Sequence, residues 1–199
     1  LTEPQQTPTE RLPFSANAGG VTYQITPLYE YELYGMVVSR HRADTWWDYL
    51  HAEWNDHLNI TDLCVIWGDN GRNDAYKEFS FYSQQFTCNY STNSQEAYTQ
   101  FNQSALSNNH LLSDKESLVR LLRQVQVGDQ IHLRGVLAQY AHQHEGQNFK
   151  RGSSITRNDT GNGACETIYL DSLEIIQKGG GGWRALKWLA LVLFMMSVV

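Results

Sequence analysis

Residues 128–137 of this chain are Gly128-Asp129-Gln130-Ile131-His132-Leu133-Arg134-Gly135-Val136-Leu137, and they decide the predicted fold class. Apolar and polar side chains alternate after the Gly-Asp turn, which is the pattern of a half-buried β-strand. We expect this strand to continue to Tyr140. Gly135 inside it predicts a bulge or a sharp bend, such as occurs at the corner of a small barrel.

A second alternating run, residues 167–176, predicts the last strand of the domain. Residues 128–137 and 168–176 together resemble bacterial OB-fold-like modules, in which a Gly-Asp turn opens one strand and an alternating hydrophobic strand ends the unit. The resemblance spans residues 128–176. It implies a fold and no particular activity, because OB-like folds host many unrelated functions. A long polar loop at residues 146–163 and an aromatic-rich first half depart from that pattern.

The rest of the chain adds further strands and two helices. Alternating or apolar runs predict strands at residues 21–26, 29–39, 63–67, 76–82 and 86–90. Three tryptophans recur at helical spacing within residues 43–55, so a short amphipathic helix is predicted there. A capping box at residues 113–116 begins the second helix. The predicted fold class is α+β: a mainly antiparallel, β-rich OB-like small barrel or sheet with two inserted helices and a C-terminal membrane segment.

The two ends of the chain differ in composition from its middle. Residues 1–18 are rich in Thr, Glu, Pro and Gln and are predicted to be a disordered linker, followed by a single domain over residues 19–178. The glycines at 179–182 predict a flexible joint, and residues 183–199 predict a membrane anchor. The apolar run is shorter than the roughly 20 residues of a full crossing. We therefore expect a transmembrane helix that continues beyond Val199, with an interfacial segment as the alternative.

Localisation and partners follow from these features and from the charge. The anchor predicts contact with membrane lipid. Charged residues make up only 18% of the chain, which favours a soluble domain outside the cytoplasm. Arg184 and Lys187, before the apolar run, favour the cytoplasmic face instead. A net charge of −6 argues against a nucleic-acid partner, so a protein partner is expected.

The three cysteines leave an odd count. Cys64 lies in the apolar run 63–67 and is predicted to be a small buried hydrophobic residue. Cys88 and Cys165 lie in polar surroundings and can form a disulfide if the compartment is oxidising. No Cys-x-x-Cys pair and no Cys/His spacing typical of zinc is present.

Two clusters of histidines and carboxylates are candidate metal sites. Asp48 and His51 share a face of the first predicted helix and can support a divalent metal or a general base, with His57 folding back from beyond the helix. His142 and His144 alternate at the end of a strand and can hold a metal together. The alternative for Asp48 and His51 is an exposed hydrogen-bonded pair, and the alternative for His142 and His144 is a solvated loop. The cofactor prediction is none, with a divalent metal as the alternative.

A cationic loop and an aromatic pair are candidate ligand-binding features. Lys150, Arg151 and Arg157 lie in one long loop, which can wrap an anion or can be a mobile surface loop. Trp46 and Trp47 are candidates for contact with a ligand. Residues 107–110 are interpreted as structural, and no catalytic nucleophile is identified.

The predicted function is a membrane-anchored, non-catalytic binding or accessory domain. A metal-dependent hydrolase using His and Asp ligands is one alternative, and a structural subunit of a membrane complex is another. Residues 46–59 and 156–170 also resemble bacterial proteins of unknown function, and this resemblance implies no activity.

Overall fold

The computed structural model describes residues 1–156, 165–181, 186, 190 and 194–197. The strands in this part of the chain are β1 (Gln5–Pro8), β2 (Phe14–Ala18), β3 (Val21–His41), β4 (Asn59–Ile66), β5 (Ser80–Gln84), β6 (Thr87–Ser91), β7 (Leu106–Leu112), β8 (Gln130–His144), β9 (Gln147–Arg151) and β10 (Glu166–Gln177). The helices are α1 (Tyr49–Glu53), α2 (Asp69–Arg72), α3 (Gln95–Gln100) and α4 (Glu116–Gln124), with short 3₁₀ helices at Asp74–Glu78 and Gln103–Ala105.

Five strands form a ring that closes on itself. Their order is β3-β4-β7-β10-β8, and β8 pairs again with β3. Strands β7 and β10 are parallel, whereas the other four neighbouring pairs in the ring are antiparallel. Strands β1 and β2 extend the sheet beside β3, and β9 extends it beside β8. The β5–β6 hairpin forms a separate two-stranded sheet that lies over one end of the ring.

Irregularities in the long strands let them bend around the ring. In β3 the pairing register with β8 shifts between Pro27 and Tyr29, next to a proline that has no N–H to donate. In β10 the register shifts between Leu170 and Ser172, opposite Gly135. A Cβ atom at Gly135 would collide with the carbonyl oxygen of Tyr169. Gly135 therefore permits the close approach of β8 and β10, as its position inside a strand suggests.

The main hydrophobic core is built from all five strands of the ring. One buried cluster contains Leu33, Leu63, Leu111, Leu133 and Leu170, one from each strand. Helix α4 packs against this cluster through Leu118 and Leu122. Burial of each such side chain contributes about 1.5–3 kcal/mol, so the ring and α4 form one cooperative unit.

The predicted fold class is corrected by the observed sheet. The sheet is mixed rather than clearly antiparallel, because β7 and β10 are parallel among otherwise antiparallel pairs, and it has eight strands, five of which close into a ring. Four α-helices occur within residues 1–156 rather than the two predicted there. The amphipathic helix predicted at residues 43–55 is confined to Tyr49–Glu53, and strand β7 was not predicted at all.

The predicted disordered linker at residues 1–18 is also corrected. Gln5–Pro8 and Phe14–Ala18 both pair with β3. Arg11, between them, donates hydrogen bonds to Glu30 on β3 and Asp171 on β10. Edge strands with one solvated face are also rich in polar residues, so composition alone does not distinguish them from a disordered linker.

The predicted membrane segment is not supported. No helix in the described part of the chain is both long enough and apolar enough to cross a membrane. The predictions of a transmembrane helix and of membrane-anchored localisation are therefore wrong on this finding. Residues 182–185, 187–189, 191–193 and 198–199, which include the tryptophans and cations of the predicted anchor, lie outside the described residues.

The disulfide joins a different pair of cysteines from the one expected. Cys64 on β4 is bonded to Cys88 on β6, with the Cα atoms 5.6 Å apart, and Cys165 has a free thiol. The apolar run around Cys64 predicted its burial but concealed its partner, because the β5–β6 hairpin folds over β4 only in the tertiary structure. The bond ties that hairpin to the ring.

Candidate active site

A continuous chain of polar side chains runs through the protein at one end of the ring. In order, its members are His41, Asp48, His51, Asn59, Asp62, His110 and Cys165. They come from the end of β3, from α1, β4 and β7, and from the residue before β10. Five of the seven are at least nine-tenths buried. Buried polar networks of this size are costly unless their groups are paired, so they are retained chiefly where they are used.

A bulge in β4 brings two of these residues onto one side of the strand. Asn59 and Asp62 are three residues apart and would face opposite sides of a regular strand. The register with β7 shifts between Asn59 and Thr61, which inserts one residue and restores a common side. The amide of Asn59 then donates to Asp62 Oδ1 at 2.9 Å and lies 3.1 Å from His51 Nε2.

Cys165, His110 and Asp62 form a nucleophile–base–carboxylate arrangement. His110 Nδ1 lies 2.7 Å from Asp62 Oδ1, and the Cys165 side chain helps to raise the pKa of the same imidazole. The parallel pairing of β7 and β10 sets His110 opposite Thr167, so Cys165, two residues before Thr167, lies diagonally from His110 on the same side of the sheet. The amide of Asn108 donates to Cys165 Sγ at 3.5 Å, and the thiol is partly exposed. These are the parts of a cysteine-based nucleophilic site.

The ionisation of His110 and Asp62 favours a buried ion pair. Burial opposes ionisation of Asp62, but the charge of His110 and the hydrogen bonds from His110 and Asn59 hold its pKa at about 2. Burial likewise disfavours the imidazolium, but Asp62 raises the pKa of His110 to about 9. A cationic imidazole beside a thiol stabilises the thiolate, which is the reactive form of cysteine.

His41, Asp48 and His51 form a second group at the other end of the chain. Asp48 Oδ2 lies 2.5 Å from His41 Nε2 and 2.8 Å from His51 Nδ1. One ligand atom from each residue lies within 4.8 Å of the other two, a donor set that suits a divalent metal ion. Burial opposes ionisation of Asp48, yet the hydrogen bonds from His41 and His51 hold its pKa below the usual value. Asp48 also caps α1 by accepting from the backbone N–H of His51.

The tip of the β5–β6 hairpin covers the middle of the polar chain. The amide of Gln85 donates to Asp48 Oδ1 at 3.0 Å, and the ring of Phe86 lies 4.7 Å from that of His51 and 6.1 Å from that of His110. The thiol of Cys165 donates to the Phe86 carbonyl oxygen at 3.5 Å. Phe86 has a φ of +67°, a conformation that costs a non-glycine residue about 1–2 kcal/mol. Strain of this kind is typical of functional sites.

Arg151 lies against the outer face of the Phe86 ring. Its guanidinium carbon is 4.1 Å from the ring centroid, and the side chain is 16% exposed. The nearest carboxylate oxygen, Asp56 Oδ2, is 3.9 Å from Nη1 and accepts a 2.7 Å hydrogen bond from Tyr140 instead. Nη1 of Arg151 and Oδ1 of Asp56 are both buried without a hydrogen-bond partner. Burial raises the pKa of Asp56, which weakens it as a counter-ion.

The structure brings together only some of the predicted metal ligands. Asp48 and His51 are in contact, as their helical spacing indicates, but His57 is exposed and belongs to no metal-ligand group among the described residues. His142 is buried, stacks on Phe149 and shares a 2.8 Å hydrogen bond with the carbonyl oxygen of Trp54, whereas His144 approaches Glu145. His142 and His144 therefore do not form a joint site.

The predicted ligand-binding residues are also separated. Arg151 faces the site, whereas Lys150 is exposed and points to the other side of β9. Arg157 lies outside the described residues. Trp46 and Trp47 contact each other edge to face and are 90% and 59% exposed, so they are surface residues rather than core.

Sequence reasoning missed His41, Asp62, His110 and Cys165 as functional residues. Residues 107–110 were interpreted as structural, although Asn108 and His110 alternate on a strand and face the same side. The signal in the sequence was the odd cysteine, which is left free once the other two pair. Nothing in the sequence indicated which distant residues would meet it.

Comparison with known proteins gives no match to a protein-family model, to a curated protein or to a solved structure. The resemblance of residues 128–176 to OB-fold-like modules, and the predicted protein partner, therefore stay predictions.

Proposed function

We propose that this chain carries a cysteine-based catalytic site for acyl transfer, that is, for hydrolysis or transfer of an ester, thioester or amide acyl group. Cys165 is the nucleophile, His110 is the acid–base group, and Asp62 orients and charges the imidazole. The observations that support the proposal best are the 2.7 Å contact between His110 Nδ1 and Asp62 Oδ1 and the placement of Cys165 on the same side of the sheet as His110 by the parallel strands β7 and β10. This is the geometry by which a base activates a nucleophile and is itself held by a third group.

The residues define a balanced reaction. The Cys165 thiolate attacks the carbonyl carbon, and the carbonyl π electron pair moves onto oxygen. As the tetrahedral intermediate collapses, the bond to the leaving group breaks, and His110 gives its proton to the leaving atom. Water then attacks the acyl-cysteine and gives a proton to His110, and the S–C bond breaks to restore the thiolate. Asn108 Nδ2, 3.5 Å from Sγ, is the described side-chain donor closest to where the negative oxygen forms.

Acylation of the thiol by p-nitrophenyl acetate tests this proposal. We expect a burst of one p-nitrophenol per chain that is absent in Cys165→Ala and at least about a hundredfold slower in His110→Gln, within the usual range for general acid–base catalysis. His132→Gln is the matched control, because His132 pairs with Glu32 at 2.7 Å but its described hydrogen bonds include no thiol. A burst that survives in Cys165→Ala, or that His110→Gln leaves unchanged, contradicts the proposal and leaves the non-catalytic binding role as the better hypothesis.

A divalent metal site is the second candidate function. It is favoured by the convergence of His41, Asp48 and His51, and by Asp56 Oδ2, which lies 3.9 Å from His51 Nε2 on the side away from Asp48. A carboxylate behind a ligand histidine is the usual support for metal binding. Titration with Zn²⁺ followed by calorimetry tests it: binding of one ion per chain is expected, and it is lost in His41→Ala. Equal binding by His41→Ala and the unmodified protein contradicts it.

A further inference from the structure

We propose that Arg151 is an anion-binding residue beside the Cys165 thiol, and that the acyl compound accepted by the site carries a carboxylate. The inference rests on the proposed function for the identity of the nucleophile. It depends on the position and pairing of Arg151, which the proposed function does not use.

The first argument is that a largely buried guanidinium, with Asp56 only at the limit of ion-pair distance, has a buried N–H group that makes no hydrogen bond. The guanidinium presents five N–H donors in a fixed fork that matches a carboxylate. Nη1 is buried and makes no hydrogen bond, although the side chain is only 16% exposed. Asp56 is 3.9 Å away and is already bonded to Tyr140. A buried donor without a hydrogen-bond partner destabilises the protein, and a bound carboxylate removes that cost.

The second argument is that Arg151 and the Cys165 thiol both contact the same residue, Phe86. Phe86 contacts both groups: its ring is stacked under the guanidinium, and its carbonyl oxygen accepts from Cys165 Sγ. Residues 152–154 continue from Arg151 alongside Cys165, and the backbone N–H of Ser154 donates to the Cys165 carbonyl oxygen at 2.8 Å. The positive charge of Arg151 acts to lower the pKa of His110, which shows that the two groups interact electrostatically. A carboxylate at Arg151 is therefore placed beside the nucleophile.

The third argument is that the side chain is held rather than free. Stacking on Phe86 at 4.1 Å, with Phe149 5.9 Å away, fixes the plane of the guanidinium before a ligand arrives. A fixed fork loses less side-chain entropy on binding than a solvated arginine. Lys150, the neighbouring cation, has no such support and is exposed.

The test compares alkylation of Cys165 by an anionic and a neutral reagent, iodoacetate and iodoacetamide. Cys165 is the one free thiol of the three cysteines, so alkylation of the unreduced protein reports on it alone. The measured quantity is the ratio of the iodoacetate rate to the iodoacetamide rate, relative to the same ratio for glutathione. We expect this ratio to fall about tenfold in Arg151→Gln, the lower end of electrostatic effects on association rates.

Two further variants separate charge from folding and from general electrostatics. Arg151→Lys keeps the charge but loses the planar fork, so the ratio should fall by less than it does in Arg151→Gln. Lys150→Gln removes the same charge from the exposed neighbour and should change the ratio less than twofold, because water and salt screen it. Circular dichroism of each variant confirms that the fold is retained.

The outcomes distinguish the two proposals. An unchanged ratio in Arg151→Gln, or an equal fall in Lys150→Gln, overturns the anion-binding role and leaves the nucleophile intact. An iodoacetamide rate that is equal in His110→Gln and the unmodified protein overturns the nucleophilic site, whereas the ratio still reports on Arg151. A thiol that reacts with neither reagent in the folded protein overturns both.

Discussion

Replacement of Asp62 by asparagine isolates the interaction that holds His110 charged. The change keeps the shape of the side chain and removes its charge. The difference between the raised pKa of about 9 for His110 and the ordinary 6.5 corresponds to about 3 kcal/mol of interaction favouring the imidazolium. Seen from Asp62, the lowering of the pKa from 3.8 to about 2 corresponds to about 2 kcal/mol. The two figures describe one interaction and are not added.

The expected result in Asp62→Asn is a fall of the His110 pKa to below 6.5, because burial then acts without an opposing carboxylate. The measurement is an NMR titration of the imidazole C–H signals from pH 5 to 10, with His110→Gln to assign the resonance. In the unmodified protein the signal should titrate near pH 9. A His110 signal that titrates near 6.5 in both proteins refutes the reasoning, because Asp62 would then have no influence on the charge.

The same pair predicts how stability depends on pH. The pKa of His110 is higher in the folded state, so its stabilisation is complete below about pH 6.5 and is lost as the pH rises through about 9. The pKa of Asp62 is lower in the folded state, so its stabilisation is present above about pH 3.8 and is lost as the pH falls through about 2. We therefore expect Asp62→Asn to cost about 2–3 kcal/mol at pH 5 and less at pH 10, as measured by urea unfolding. An equal cost at both pH values is inconsistent with the ion pair.

Three further changes test how the site is held. The Cys64–Cys88 disulfide spans 24 residues. Replacement of both cysteines by alanine should therefore lower the free energy of unfolding, measured in urea titrations, by about 3 kcal/mol. A loss under about 1 kcal/mol would show that the hairpin is held by packing alone. Phe86→Ala removes the ring that lies between Arg151 and the polar chain, so alkylation of Cys165 by iodoacetamide should become faster. An unchanged alkylation rate would mean that Phe86 does not cover the thiol. Gly135→Ala places a methyl group against the Tyr169 carbonyl, and thermal unfolding should show a loss of about 3 kcal/mol, whereas Gly152→Ala, where the nearest atom is 4.0 Å from the added carbon, is the control. A Gly135→Ala protein as stable as the control would mean that β8 and β10 can move apart.

Local sequence patterns predicted part of the fold because strand alternation and helix starts depend on residues close together in the chain. The alternation after Gly128 predicted β8, and the run at 167–176 predicted β10, which the structure extends to Glu166–Gln177. The pattern at residues 113–116 predicted a helix before residue 118, but α4 begins at Glu116 with Lys115 at its N-cap, so Ser113 does not cap it as the predicted capping box requires. Strand β7 was not predicted because four of its residues are polar and yet buried: Ser107, Asn108, Asn109 and His110. A polar strand is stable in the interior only when its partners are already in place, and those partners lie far away in the sequence.

The sequence by itself determined several of the extended segments, that a helix forms shortly after Ser113, that Asp48 and His51 share a helical turn, and that one cysteine is left over. These properties depend on neighbours within a few residues, where backbone geometry fixes which side chains meet. Only the tertiary structure decided that Cys64 pairs with Cys88, that antiparallel pairing of β4 and β7 sets Asp62 opposite His110, and that parallel pairing of β7 and β10 puts Cys165 diagonally from His110 on the same side. His110 and Cys165 are 55 residues apart, and their contact depends on closure of the five-stranded ring rather than on any local pattern. Burial inside that ring opposes protonation of His110, but the buried carboxylate of Asp62 outweighs it and raises the pKa of the imidazole to about 9, which no composition or spacing could have indicated.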